Sequence, residues 1–138
     1  MLALYEGHRL SVDIDLFGNS TMDEEIFVEY NFELIEPIKI IDGIRLVSKK
    51  DIAAMKLNAI AGRGSKKDFV DVYQLLKEFT LTEMLSYYIQ KYPNGSEFMV
   101  LKSMLYFDDA DNEPDPIMLR TITWNQIKEK IAIEVENI

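Results

Sequence analysis

Two groups of residues have the types and spacing that chemistry needs. The first is Asp13-Ile14-Asp15. On a strand, residues i and i+2 point to one face, roughly 7 Å apart by strand rise. Two carboxylates on one face repel unless a positive charge sits between them, and a hard divalent cation with oxygen ligands meets that need. Mg²⁺ takes one or two carboxylates and completes its shell with water and phosphate. The same pair also fits the exposed face of a sheet, where both charges are simply solvated.

The second group is Lys56, Arg63, Lys67, Asp68 and Asp71. Lys56 lies among Ala53, Ala54, Met55, Leu57 and Ala59, small or apolar residues that let a helix approach its neighbours closely. A lysine there either points into a cleft, where it can meet a triphosphate as a point charge, or snorkels to the surface. Asp68 and Asp71 stand at i and i+3 on a helix and share a face. Asp68 also suits a first helical turn, where the macrodipole favours a carboxylate. Capping does not account for Asp71. The run Arg63-Gly64-Ser65-Lys66-Lys67 is the best local basic patch for a nucleic acid, although composition alone favours a solvated loop between two helices.

Other chemistries lack the residues they require. There is no cysteine, and His8, the one histidine, makes neither a triad nor a zinc site. No Gly-rich phosphate loop of Walker or Rossmann type is present. Tyr73, Tyr87, Tyr88, Tyr106, Phe107 and Trp124 fall at helical core spacing and are expected to be core rather than a base-stacking platform.

The elements that would position these groups follow from periodicity. Met1 to Tyr5 reads as the last turn of a helix stopped by Gly7, which leads to the expectation of a core that is incomplete at its N-terminus. Leu10, Val12, Ile14 and Leu16 alternate with polar residues, which predicts a strand over 10–17. Ile26 to Ile35 is a second strand candidate, interrupted by Pro37. Ile38–Ile41 and Ile44–Val47 flank Asp42-Gly43, a hairpin signal. Ser48 is expected to cap a helix with Asp51 three residues on, and Ile52, Met55, Ala59 and Ile60 form its apolar stripe until Gly62 and Gly64 stop it. Further helices are predicted from Ser65 or Asp68, with Phe69, Val72, Tyr73, Leu75 and Leu76 inward. Others are expected over Thr82–Lys91 and Phe98–Tyr106, and after a Thr123 cap through Val135. Residues 108–116 read as an acidic loop with two prolines. Strands first and helices second is an α+β layout: a sheet-rich part over 1–47 and a helical part over 48–138.

A chain of 138 residues with 48% apolar and 28% charged residues fits one globular domain. A net charge of -9 gives no long-range attraction to nucleic acid, so any such contact must be local. No apolar run approaches the ~20 residues of a membrane helix and no signal peptide opens the chain, so a cytoplasmic protein is expected.

Taken together, the motifs resemble one family. Gly7-His8-Arg9-Leu10-Ser11-Val12-Asp13-Ile14-Asp15-Leu16-Phe17 looks like the metal-binding motif of the AbiEii/AbiGii nucleotidyltransferases, the toxin half of bacterial abortive-infection systems. Asp51 to Ile60, followed by Arg63, Lys67-Asp68-Phe69 and Asp71, resembles that family's second block. Tyr106-Phe107-Asp108-Asp109-Ala110 with Pro114, Pro116 and Trp124 resembles its C-terminal stretch. The resemblance implies a nucleotidyltransferase-like fold, a small mixed β-sheet with packed helices and a helical C-terminal part. It implies transfer of a nucleotide from an NTP to an RNA, tRNA or protein acceptor with Mg²⁺. By carry-over, Asp13 and Asp15 would hold the metal and Lys56 would meet the triphosphate. Asp68 or Asp71 would assist at the acceptor or orient Lys56, and Arg63 and Lys67 would add cationic contacts.

Two features depart from the family pattern. The Gly-Gly-Thr or Gly-Ser phosphate turn that usually precedes the first helix is absent, and Asn31, with Glu29 and Glu33 beside it, stands where a third carboxylate is usual. Beside an active enzyme, the resemblance therefore implies two alternatives. One is a catalytically degenerate domain that binds a partner such as a cognate antitoxin. The other is a shortened domain that self-associates as a homodimer.

Overall fold

The computed structural model describes residues 34–116 and 121–138. Asp13, Asp15, Glu29, Asn31, Glu33 and the strand candidates over 10–17 and 26–33 lie outside the described residues, as does the side chain of Arg63.

Among the described residues the chain opens with a hairpin, β1 (Lys39–Ile41) and β2 (Ile44–Leu46), paired antiparallel with Ile41 opposite Ile44. The two-residue connection puts both Asp42 (φ 53°) and Gly43 (φ 78°) in the left-handed region. That is the geometry whose twist matches a hairpin, and Asp-Gly is the pair that tolerates it. Leu34 and Ile35, the end of the second strand candidate, are not in a strand. Their neighbourhood is held another way, described below.

Helices follow: α1 (Lys49–Arg63), α2 (Lys66–Leu75), α3 (Leu81–Lys91), α4 (Glu97–Met104), the single turn α5 (Asp108–Asp111) and α6 (Trp124–Glu136). At the coarse level this is an α+β arrangement, mostly helical with a two-stranded antiparallel sheet. Each longer helix starts where a side chain can satisfy an orphan backbone N–H. Ser48, Ser65, Thr80, Ser96 and Thr123 each accept from the N–H three residues on. Ser65/Asp68, Thr80/Glu83 and Thr123/Gln126 close full capping boxes. The third helix therefore begins at Leu81 rather than Thr82, because Thr80 with Glu83 makes the better cap. The acidic 108–116 segment is not all loop, since α5 lies within it.

α1 is the central helix, packed against α2, α3 and α4, while α6 closes over α2 and α4. Its buried apolar residues are Ile52, Ala53, Ala54, Leu57 and Ile60, whereas Met55 and Ala59 are half-buried. The expected stripe was too narrow, because three neighbouring helices cover more of the surface than one face. The small side chains of Ala53 and Ala54 permit that approach. Gly62 lies inside α1, and Gly64 caps it with extended dihedrals. A Cβ on Gly64 would sit 2.9 Å from the Phe69 ring, so this glycine serves close approach rather than a left-handed turn.

The core joins Leu57, Phe69, Val72, Leu75, Leu81, Met84, Tyr88, Val100, Met104, Ile127 and Ile131. Full burial of each large side chain contributes about 1.5–3 kcal/mol. Phe69, Phe107 and Trp124 meet edge to face or tilted at 5.2–6.0 Å between centroids, tying α2 to α6 through the α5 region. Tyr106 departs from expectation and is exposed. It follows the end of α4, beyond the reach of the packed face.

Candidate functional site

α1 and α2 are packed neighbours joined only by Gly64-Ser65. This tight connection brings the start of α2 back against the second half of α1. Lys56 of α1 meets both predicted carboxylates of α2, with Nζ 3.1 Å from Asp68 Oδ1 and 3.0 Å from Asp71 Oδ2. Asp71 is wholly enclosed, while the Lys56 side chain keeps about a quarter of its surface, 23%, open.

Asp68 serves two structures at once. Its Oδ2 accepts from the Ser65 N–H and hydroxyl, closing the cap of α2, while its Oδ1 accepts from Lys56. Asp71 has no part in the cap. A buried carboxylate requires a paired donor, and the ammonium of Lys56 supplies one. Burial pushes the Lys56 amine toward neutrality, but the charges and hydrogen bonds of Asp71 and Asp68 outweigh it, so its pKa is raised and it stays charged.

Lys67 is half-buried at the start of α2. Its neighbour Lys66 does not face outward as a basic patch would require. Lys66 is only 4% exposed, and its ammonium donates to the Glu113 carbonyl (2.7 Å) and to Asp115 (2.9 Å) and lies 5.0 Å from the Trp124 ring centroid. Neither a nucleic-acid patch nor a solvated loop describes it. Lys66 is a strap that holds the 113–115 segment onto α2. Among the described residues, the hollow of about 430 Å³ beside the α2 cap is lined by Gly64, Ser65, Asp109 and Glu113, and Lys56 is not on its walls.

Among the described residues no group of three acidic or histidine side chains could hold a metal ion. The Asp68–Asp71 pair does not fit a divalent cation either, because the Lys56 ammonium already stands between the two carboxylates. The metal expectation rests wholly on Asp13 and Asp15. Among the described residues no helix is long and apolar enough to cross a membrane.

A second cluster was missed by the motif reading. Asp51 and Lys91 are both fully enclosed and pair at 3.0 Å. Asp51 accepts four donors, two on each oxygen. Oδ1 takes the Ile35 N–H (2.7 Å) and Lys91 Nζ, and Oδ2 takes the Glu36 N–H (3.1 Å) and the Ser48 hydroxyl (2.6 Å). Burial alone would push its pKa up, but these donors together pull it below the usual carboxylate value. The signal in sequence was Ser48-x-x-Asp51, which identified the cap but none of the distant partners.

No family model matches the chain, and no solved structure matches it. An uncharacterized protein of Aquifex aeolicus (strain VF5) is 44% identical over 91 residues, covering 63% of this chain and 44% of that protein. The chain thus spans less than half the length of the curated relative it matches.

Proposed function

We propose that the chain is a nucleotidyltransferase-like domain of the AbiEii/AbiGii type, with a mixed-sheet core supplied by the N-terminal third. In this reading it transfers a nucleotide from an NTP to an RNA, tRNA or protein acceptor. The acceptor hydroxyl oxygen bonds to the α-phosphorus, and the bond to pyrophosphate breaks. Lys56 meets the triphosphate as a fixed positive charge. Asp71 orients that charge from inside the fold, where no acceptor can reach it, and Asp68 ties it to the α2 cap. Asp13 and Asp15 would hold Mg²⁺, which would supply neutralisation of phosphate charge.

The observation that carries this reading is the Lys56–Asp71 pair at 3.0 Å, with the acid enclosed and the amine still open to solvent on one side. Titratable groups perturbed by burial and a specific charge partner cluster at functional sites, and the Lys56 amine is perturbed in both ways. Calorimetry of the full chain with an NTP in millimolar Mg²⁺ tests it. The reading expects binding that Lys56→Ala and Asp13→Ala abolish. Absence of heat from the unsubstituted protein at every NTP would refute it.

A second reading, a non-catalytic domain that keeps the fold to bind an antitoxin or a second copy, is favoured by one feature. Two carboxylates already satisfy the single Lys56 amine. It expects no NTP binding, and a Lys56→Met variant whose loss of stability is its whole phenotype.

A further inference from the structure

We propose that the outer face of α4 is an interface with a second copy of this chain, the two α4 helices lying parallel about a two-fold axis that runs along them. The inference stands apart from the nucleotidyltransferase reading and uses none of its residues.

α4 buries one side and leaves the other apolar. Val100 and Met104 are sealed in the core. On the outside Phe98 is 70% exposed and Leu105, the C-cap, is 46% exposed, with Leu101 half-buried between them. A single exposed apolar side chain is ordinary, but several sharing one face mark an interaction surface. Residues 98, 101 and 105 follow the three-then-four spacing of a seam between two helices. The exposed Met99 and Tyr106 widen the apolar surface beyond that row.

Charge names the occupant. Glu97 and Lys102 are exposed, and neither has an ion pair or a side-chain hydrogen bond among the described residues. The macrodipole suits an acid at the start of α4 and a base at its end. It does not account for the apolar row between them. At about 100° per residue, Glu97 and Lys102 border that row on opposite sides. Because they stand five residues apart, parallel pairing sets Glu97 of each copy beside Lys102 of the other and closes two ion pairs across the seam. Antiparallel pairing would set glutamate against glutamate and lysine against lysine. Val100 and Met104 lie on the Glu97 side of the row, so the parallel two-fold also keeps the two cores on opposite sides of the seam. A standard interface buries about 800 Å² on each partner, more than one short helix supplies, so the association is weak and in the micromolar range.

Sedimentation equilibrium of the full chain from about 1 µM to 1 mM tests this. The expected result is a monomer–dimer equilibrium. Phe98→Asp should raise the dissociation constant by about tenfold or more with the helical circular-dichroism signal unchanged. If that variant loses its helical signal, Leu105→Asp decides instead. Glu97→Lys and Lys102→Glu should each weaken the dimer several-fold, roughly, because each turns two attractions into repulsions. The double reversal Glu97→Lys/Lys102→Glu should recover it, since both pairs form again with their signs exchanged. A role confined to the helix itself predicts the opposite, because the double reversal opposes the macrodipole at both ends. The proposal is overturned by a monomer at every concentration, by a dimer that the aspartate variants leave unchanged, or by a double reversal that associates no better than the single ones.

Discussion

Lys91, the last residue of α3, reaches Asp51 in the first turn of α1 at 3.0 Å, and neither side chain touches solvent. The pair closes the ends of two neighbouring helices and gives a buried carboxylate its countercharge. Removing Lys91 leaves the enclosed Asp51 carboxylate with neutral donors but without this countercharge. Lys91→Met is expected to lower unfolding free energy by about 3–5 kcal/mol in urea titration, the usual cost of breaking a buried pair. A change under ~1 kcal/mol, as for a surface ion pair, would mean that the site admits water.

Lys56→Met leaves Asp71 enclosed without its ammonium. Because the amine is partly open, the expected loss is near the low end of the same range, about 3 kcal/mol. Lys56→Met/Asp71→Leu should recover part of it, since an apolar pair has no charge to desolvate. A double-mutant cycle with coupling near zero would show that the two side chains do not depend on each other.

Stability should fall at both pH extremes through identifiable groups. The folded-state pKa of Asp51 is lowered from 3.8, so its contribution is present above that value and is lost as pH falls through the lower folded pKa. The pKa of Lys56 is raised from 10.5, so its contribution is full below 10.5 and is lost as pH rises through the folded value. Burial, then the neighbouring Tyr88 and Asp51, push Tyr92 from 10.0 up to about 12, so stability also drains over that interval as the unfolded chain ionises first. Thermal melts across pH should show a plateau bounded by these values. In Lys56→Met the alkaline limb should be shallower.

Two glycines predict opposite outcomes. A Cβ on Gly95 would collide with the Tyr88 ring and hydroxyl, whereas a Cβ on Gly62, within α1, meets nothing within 4 Å. Gly95→Ala should destabilise by about 1–3 kcal/mol through overpacking. Gly62→Ala should stabilise by about 0.4–1 kcal/mol by restricting the unfolded chain. Melting temperatures that move in the same direction for both would contradict the packing described.

What was legible in sequence was what local physics decides. Asp42-Gly43 announced its turn because both positions demand positive φ. Ser48, Ser65 and Thr123 announced helix starts because each bonds within its own first turn. Thr80 with Glu83 carried the same signal and was passed over for Thr82. What was not legible depends on partners far along the chain. Lys66 and Lys67 look alike in sequence, yet only Lys66 is buried, because its carbonyl and carboxylate partners lie at 113 and 115. The i, i+3 spacing put Asp68 and Asp71 on one face, but only the close return of α2 onto α1 brings that face to Lys56. Asp51 was read as a cap because Ser48 is near, while Ile35, Glu36 and Lys91 come from elsewhere in the fold.

The central claim is that a metal held by Asp13 and Asp15 shares one site with the Lys56 amine. Paramagnetic relaxation measures this directly when Mn²⁺ is titrated into the isotope-labelled full chain. The account predicts strong broadening of the Lys56 side-chain resonances, abolished by Asp13→Ala/Asp15→Ala. Saturable Mn²⁺ binding to that acid pair with the Lys56 resonances left sharp would contradict it.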